Sequence, residues 1–394
     1  MRLGRRVRPP VRFDRHELAG AFGDIGTDFP LLVGMILAAG LDSASVLVMF
    51  GLMQVVTGLT YRMPMPVQPL KAMAAIVITQ KLAGDVLYGG GLAVGLLMLV
   101  LSASGAVDWL ARVVPAAVIR GIQFGLGLQL ATLALGQYVR AEGALGYGLA
   151  ATAFLVVVLL LGHRRYPAAL VVIALGVLYG LLLRVDGAAL VRGVGFTLPQ
   201  LRVPSPHVVL TGLVVLALPQ VPLSLGNSIL ATRQAAGDLF PDRPLSVRRI
   251  SLTYAAMNLV NPFFGGVPTC HGSGGLVGHY TFGARTGGSV IIYGLLYLTI
   301  GLFLARGFDQ VIHVFPLPAL GVLLVFEGLA LMALIGRLAH APTEFAVALL
   351  LGLVASGLPY GYVIALALGP PLVFLGRRGR SFTLGGQEMP GGAP

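Results

Sequence analysis

The chain has 394 residues, of which 56% are hydrophobic and 11% charged, with a formal net charge of +12. The charged share is less than half of the roughly 25% typical of a soluble domain, and the mean hydropathy is +0.88, which excludes a soluble enzyme or a nucleic-acid-binding domain. The apolar residues come in long blocks rather than short alternating segments, so the sequence predicts an all-α polytopic membrane protein, not a closed barrel.

The N-terminus, residues 1–16, is basic, with Arg2, Arg5, Arg6, Arg8, Arg12 and Arg15. The Arg5-Arg6 pair is not followed by an uninterrupted apolar run and a small-residue cleavage site, so the segment reads as retained and cytoplasmic. The first span, 17–39, is interrupted at "GAFGDIGTDFP". Gly23 and Gly26 permit an unwound backbone there. Asp24 and Asp28 either carry a coupling proton, ligate sodium, or pair with Lys71 and cap a helix.

The second span is 43–60, and the third, 66–80, opens with "MPMPVQPLKAMAAIVIT". Irregular backbone at membrane depth is tolerated where it is buried in protein or lines a cavity. Pro66 reads as the start of a half-helix, because proline at the first turn loses only an N–H that would be unpaired anyway. Gln68 then sits in the first turn, either on a ligand or capping the helix. Lys71 lies one turn further in, facing an anion directly or neutralising Asp24 or Asp28.

Four more spans follow at 86–106, 113–136, 144–162 and 167–184, with Arg120 and Gln123 placed to line a pathway. A longer connection at 185–206 divides the spans seven and seven. The eighth, 207–235, carries Gln220, Ser224 and Asn227 on one helical face, either lining a cavity or bonding between helices. The ninth is 246–265, and the tenth, 268–281, falls within "GGVPTCHGSGGLVGHY". Pro268 there repeats the role of Pro66. Thr269, His271 and Ser273 add donors, and Gly272, Gly274 and Gly275 allow close approach of a ligand or a neighbouring helix. Spans at 288–305, 311–335, 342–357 and 360–376 complete fourteen, with Glu327 in the twelfth as a gate or coupling carboxylate. The tail, 377–394, is rich in Gly, Pro and Arg and is predicted to be disordered.

Arginines crowd the loops on the side of both termini, among them Arg62, Arg112, Arg164, Arg165, Arg243, Arg285 and Arg337. The asymmetry predicts that both ends are cytoplasmic, and the plasma (inner) membrane of a prokaryote is the expected location. The third and tenth spans share one pattern, an apolar span, a Pro/Gly break, then a short segment. Paired interrupted segments at corresponding positions of inverted halves (17–184 and 207–376) point to a transporter's binding site. Helix N-termini at those breaks suit an anion. The single cysteine, Cys270, excludes an intrachain disulfide and a cysteine cluster, and the histidines show no metal-ligand spacing. No cofactor and no metal are expected.

The stretches "GDIGTDFPLL", "MPMPVQPLKAMAA", "PLSLGNSILATRQAAGDLFP" and "FGGVPTCHGSGGLVGHYTFGAR" resemble the molybdate transporter family of the sulfate permease superfamily. The resemblance implies a seven-plus-seven inverted repeat. Its core domain (spans 1–4 and 8–11) holds the substrate between half-helices three and ten, and its gate domain (spans 5–7 and 12–14) supports an elevator-like movement and dimerisation. The regulatory STAS domain of sulfate permeases has no counterpart here, as in the molybdate branch. Carried onto this chain, the site comprises Gly26, Thr27, Gln68, Gln220, Ser224, Asn227, His271 and Ser273. The superfamily's acidic residue in span eight falls on Asn227. The expected substrate is molybdate or a related oxyanion, tungstate or sulfate, moved by secondary-active transport with H+ or Na+ as coupling ion. A sulfate carrier of the same geometry is the nearest alternative. A nucleobase:proton symporter is disfavoured by neutral residues where such carriers use carboxylates. An intramembrane enzyme lacks a third group to orient His271 and Ser273.

Overall fold

A computed structural model describes residues 11–107, 109, 114–163, 167–183 and 193–378. The rest of the basic N-terminus, Arg112, Arg164, Arg165, most of the first half of the 185–206 connection and residues 379–394 lie outside the described residues.

The first span is two helices, α1 (Arg15–Ala21) and α2 (Ile25–Ala39), bent by 43° at the Gly23-Asp24 break. Asp14 caps α1 by accepting from the backbone N–H groups of Glu17 and His16, which hold its carboxyl below the usual carboxylate range. α3 (Ser43–Tyr61) is capped by Asp42. A short extended piece, β1 (Gln68–Pro69), precedes α4 (Lys71–Gln80), and α5 (Gly84–Ala103) follows. Then come α6 (Ala116–Leu133), which ends in a wide turn to Tyr138, α7 (Gly143–Leu160) and α8 (Ala168–Leu183).

α9 runs from Pro206 to Leu239 as one continuous helix of 34 residues. Ser205 caps it and proline occupies its first position. Its middle holds Pro219 and Pro222, flanked by two wide π-type stretches, 213–217 and 224–231. Prolines remove donors from the ordinary ladder, and the wide turns accommodate the shift; such turns are frequent at functional sites.

The second half continues with α10 (Val247–Val260), β2 (Thr269–Cys270), α11 (Ser273–Thr281) and α12 (Gly288–Phe303). α13 (Ala305–Val314) turns 97° from α12. α14 (Leu317–Ala333), α15 (Pro342–Gly357) and α16 (Gly361–Arg378) close the chain. The span expected at 311–335 therefore begins six residues later, at Leu317, because Pro316 ends the preceding turn and places proline-bounded backbone before the helix.

Among the described residues, six helices are long and apolar enough to cross a membrane, or eight if each bent pair is one span, with four shorter apolar helices besides. The chain is an integral membrane protein. Its helices form two groups. In the first, α3 packs on α12 and α5 on α10 and the start of α9, with α1 against α12 and α2 against α4. In the second, α6 packs on α14 and α15, α15 on α16, and α7 on α14 and α8. The groups meet where α4 and α9 touch α6, and where α2 touches α14 and α8. Glu17 ties the first group's ends together: its buried carboxylate accepts from the backbone N–H of Arg285 (2.9 Å), Thr286 (2.8 Å) and Ser289 (2.9 Å) at the start of α12.

Candidate functional site

The two broken segments cross at the centre of the first group. Residues 64–70 and 266–272 are extended, and they pair antiparallel with Gln68 opposite Cys270 and Pro69 opposite Thr269. The backbone N–H of Leu70 donates to the carbonyl of Pro268 at 3.0 Å. The half-helices therefore start at Lys71 and Ser273, not at Pro66 and Pro268. The reason is local: a residue before proline is held out of the helical region, and Pro66 and Pro69 impose that on Met65 and Gln68.

Two amides clamp the extended pieces. Gln54 of α3 donates to the carbonyl of Val67 (2.8 Å) and accepts from its N–H (3.1 Å). Asn258 of α10 does the same for Thr269, at 2.6 and 3.0 Å. All of these groups are buried, so each clamp replaces the water that unpaired backbone would need. Neither amide was singled out from the sequence; the available signal was an amide inside the apolar span preceding each break.

His271 joins the same framework. Its Nδ1 lies 3.1 Å from the Pro66 carbonyl and its Nε2 2.7 Å from the Thr253 hydroxyl, which also meets Tyr61 Oη at 2.6 Å. The imidazole is fully buried, and its edge packs on the Tyr61 ring. Thr269 is buried too, its hydroxyl accepting from Asn261. These two residues reach the crossing, but their side chains turn into the protein.

Gln220 caps α4: its Oε1 accepts from the backbone N–H of Ala72 (3.0 Å) and Met73 (3.3 Å). Its Nε2 donates to Ser224 Oγ at 3.1 Å, and Ser224 meets Tyr254 Oη at 2.7 Å. The polar face read from α9 thus divides, with Gln220 and Ser224 bonding helices together and Asn227 reaching open space. Gly26 turns away as well, towards Ala169 of α8.

Lys71 does not pair with Asp24 or Asp28. Its Nζ lies 2.5 Å from Glu327 Oε1, and Thr27 Oγ1 donates to Glu327 Oε2 at 3.2 Å. Glu327 belongs to α14, so both contacts bridge the two helix groups. Asp24 instead accepts from Gln68 Nε2 through both oxygens, each at 2.7 Å. Asp28 is fully buried, and among the described residues neither of its oxygens makes a hydrogen bond. A Cβ on Gly272 would run into the Gln68 amide, and one on Gly275 into the Asp24 carboxylate. Those two glycines exist to let the broken segments close on each other.

A cavity of about 520 Å³ opens between the groups. Thr27, Gln68, Lys71, Asn227, Ser273 and Gly274 line it together with Arg120, Gln234 and Arg337, of which Gln68 is buried, Arg120 half-buried, and Gln234 and Arg337 exposed. Of the candidate residues, Thr27, Gln68, Lys71, Arg120, Asn227 and Ser273 reach it, whereas Gln123 does not line it and accepts from Arg120 instead. Gly274, expected to allow close approach of a ligand, lines it too, whereas Gln234 and Arg337 were not among the candidates; Arg337 read as a loop residue. The N-cap of α11 is Gly272, which has no side chain to satisfy the helix's first N–H groups. Ser273 and Gly274, the first two residues of that helix, face the cavity. The result is a pocket of hydroxyl, amide and uncapped backbone donors around one ammonium, which suits a ligand that accepts hydrogen bonds and donates none.

A family model described as "Molybdate transporter of MFS superfamily" matches residues 16–130 and 212–331. The chain belongs to the molybdate transporter family. Molybdate transporter 2 of Arabidopsis thaliana is 33% identical over 370 residues, covering 80% of this chain and 77% of the plant protein. The transporter's fold is that of the SLC26/BicA, sulfate-permease-like carriers. The transmembrane domain of a cyanobacterial bicarbonate transporter, BicA, superposes with a TM-score of 0.64 at 14% identity, over 93% of this chain and 99% of that one. SLC26A9 superposes with a TM-score of 0.67 at 11% identity, over 92% of this chain and 65% of that one.

Proposed function

We propose that this transporter carries a tetrahedral oxyanion, molybdate in the first place, by secondary-active alternating access, with the anion held between the starts of α11 and α4. The observation that carries the reading is the cavity at the uncapped start of α11, lined by Ser273, Gly274, Asn227, Thr27 and Lys71. α4 contributes Lys71 rather than its N–H groups, since Gln220 already takes those of Ala72 and Met73. Fully ionised molybdate accepts hydrogen bonds only, so it leaves none of these donors facing an unsuitable group.

The segments fit a seven-plus-seven inverted repeat. The bent pairs, the long helices and the shorter apolar helices, taken with α10 and α11, make fourteen. The clamps support the same symmetry, because Gln54 and Asn258 sit on the segment before each break and hold corresponding backbone. The first helix group acts as the moving core and the second as the gate. The cavity opens beside Gln234 and Arg337, on the side we assign to the cytoplasm from the basic loops, so the arrangement is inward-open. Glu327 balances the charge of Lys71, Asp24 fixes Gln68, and Asp28, fully buried and without a hydrogen bond of ordinary geometry among the described residues, is the candidate for a coupling ion.

Calorimetric titration of the purified protein with molybdate, tungstate, sulfate and uracil tests the reading. We expect molybdate and tungstate to bind, and Ser273→Ala to weaken both by roughly tenfold, the loss of one hydrogen bond to a charged group. Preference for sulfate would move the protein to a sulfate carrier of the same geometry. Binding of uracil alone, or full affinity in Ser273→Ala, would remove the anion site from the α11 start.

A further inference from the structure

The positive charge of the cavity is unevenly neutralised. Deep inside, Lys71 is paired with Glu327. Near helix ends, half-buried Arg120 at the start of α6 and exposed Arg337 just beyond α14 line the same cavity. Among the described residues neither makes an ion pair: Arg120 Nη1 donates to the neutral amide of Gln123 at 2.7 Å, and Arg337 makes no hydrogen bond. Setting the orientation of a membrane protein needs arginines in the loops, but it does not need two of them converging, uncompensated, on one cavity. The planar guanidinium fork matches the edge of a tetrahedral oxyanion.

We propose that Arg120 and Arg337 form a second anion subsite at the cavity mouth, which takes a doubly charged tetrahedral oxyanion on its way between the deep site and the adjoining solution. The proposal rests on the oxyanion reading of the cavity. The two subsites divide the work. The deep one, with neutral donors and a compensated lysine, recognises the anion; the outer one, with uncompensated charge, collects and releases it. Both arginines belong to the gate group, whereas Ser273 and Lys71 belong to the core. Movement of the core relative to the gate therefore carries the deep site away from the arginines, and they act on one side of the membrane only.

The test is calorimetric titration of the full-length protein in detergent with sodium molybdate, and separately with sodium sulfate, at low and at physiological salt. The wild type should show a salt-insensitive phase and a weaker phase that fades with salt, because charges near the surface are screened more than buried ones. The Arg120→Gln/Arg337→Gln variant should lose the salt-sensitive phase, weakened by roughly tenfold or more, and keep the other; Arg120→Lys/Arg337→Lys should restore part of it. Ser273→Ala should do the reverse, weakening only the salt-insensitive phase. Loss of a salt-sensitive sulfate phase in the double variant, without any salt-insensitive molybdate phase in the wild type, would sustain the mouth subsite while refuting the deep oxyanion site. Identical titrations of wild type and double variant, or a single phase weakened equally by Ser273→Ala and the arginine substitutions, would overturn the second subsite.

Discussion

Replacing Glu327 by glutamine separates charge from shape at the contact between the two helix groups. Glu327 is 5% exposed and Lys71 18% exposed, with their charged atoms 2.5 Å apart. Removing one partner of a fully buried pair costs about 3–5 kcal/mol. Here the cost is smaller, because Lys71 borders an open cavity and the glutamine carbonyl can still accept from either Lys71 or Thr27. An expected destabilisation of about 1–3 kcal/mol follows. Because the pair joins the two groups, part of that loss falls on the present packing of one group against the other. At the same time an uncompensated ammonium is left facing the anion. The two effects separate in the assays: molybdate affinity by calorimetry should rise by roughly tenfold, about 1.4 kcal/mol, while counterflow in proteoliposomes should fall. A double-mutant cycle with Lys71→Gln should give a coupling of about 1 kcal/mol or more in thermal unfolding. If Glu327→Gln instead weakens molybdate binding as Ser273→Ala does, the carboxylate serves the ligand and not the lysine. Strictly additive unfolding shifts would show that the pair is not a bridge.

Two further outcomes follow from the packing around the crossing. Gln54→Leu and Asn258→Leu each strand a buried N–H and a buried carbonyl, so each should destabilise by about 2–5 kcal/mol, read as matching losses in thermal unfolding in detergent; a near-neutral effect at either would mean that its extended segment is held by other contacts. Gly272→Ala should abolish molybdate binding because its methyl group meets the Gln68 amide, whereas Gly274→Ala, with open space around the added atom, should keep a normal elution profile and measurable binding; the opposite order would refute the closing of the two breaks seen here.

Much of the site was legible before any coordinates, because intramembrane polar residues are rare enough to be conspicuous. The first break is present at Gly23 but not at Gly26, which is helical, the breaks over 64–70 and 266–272 are present, and Thr27, Gln68, Lys71, Asn227 and Ser273 meet at one cavity. What sequence misjudged was direction. Gln220, Ser224 and Asn227 share a helix face, yet the wide turns of α9 and the nearness of α4 send the first two into helix-to-helix bonds. His271 sits among glycines beside the ligand space and still points at Pro66 and Thr253. The partner of Lys71 lies 256 residues away; two nearer carboxylates made the local choice more attractive, and nothing along the chain distinguishes them. Pro66 failed as a helix start because Pro69 extends the same restriction past it.

The antiparallel crossing has a consequence for synthesis. The strand at Gln68–Pro69 finds its backbone partners in Thr269–Cys270, and Leu70 finds its own in Pro268. While the ribosome is still making α5 to α9, those partners do not exist, and the Gln54 clamp secures only Val67. The first half of the chain must therefore wait in the bilayer with open backbone groups at a depth where lipid offers nothing to bond. Neither half is a finished unit, and the ligand space comes into being only when residues some two hundred positions apart are threaded against each other.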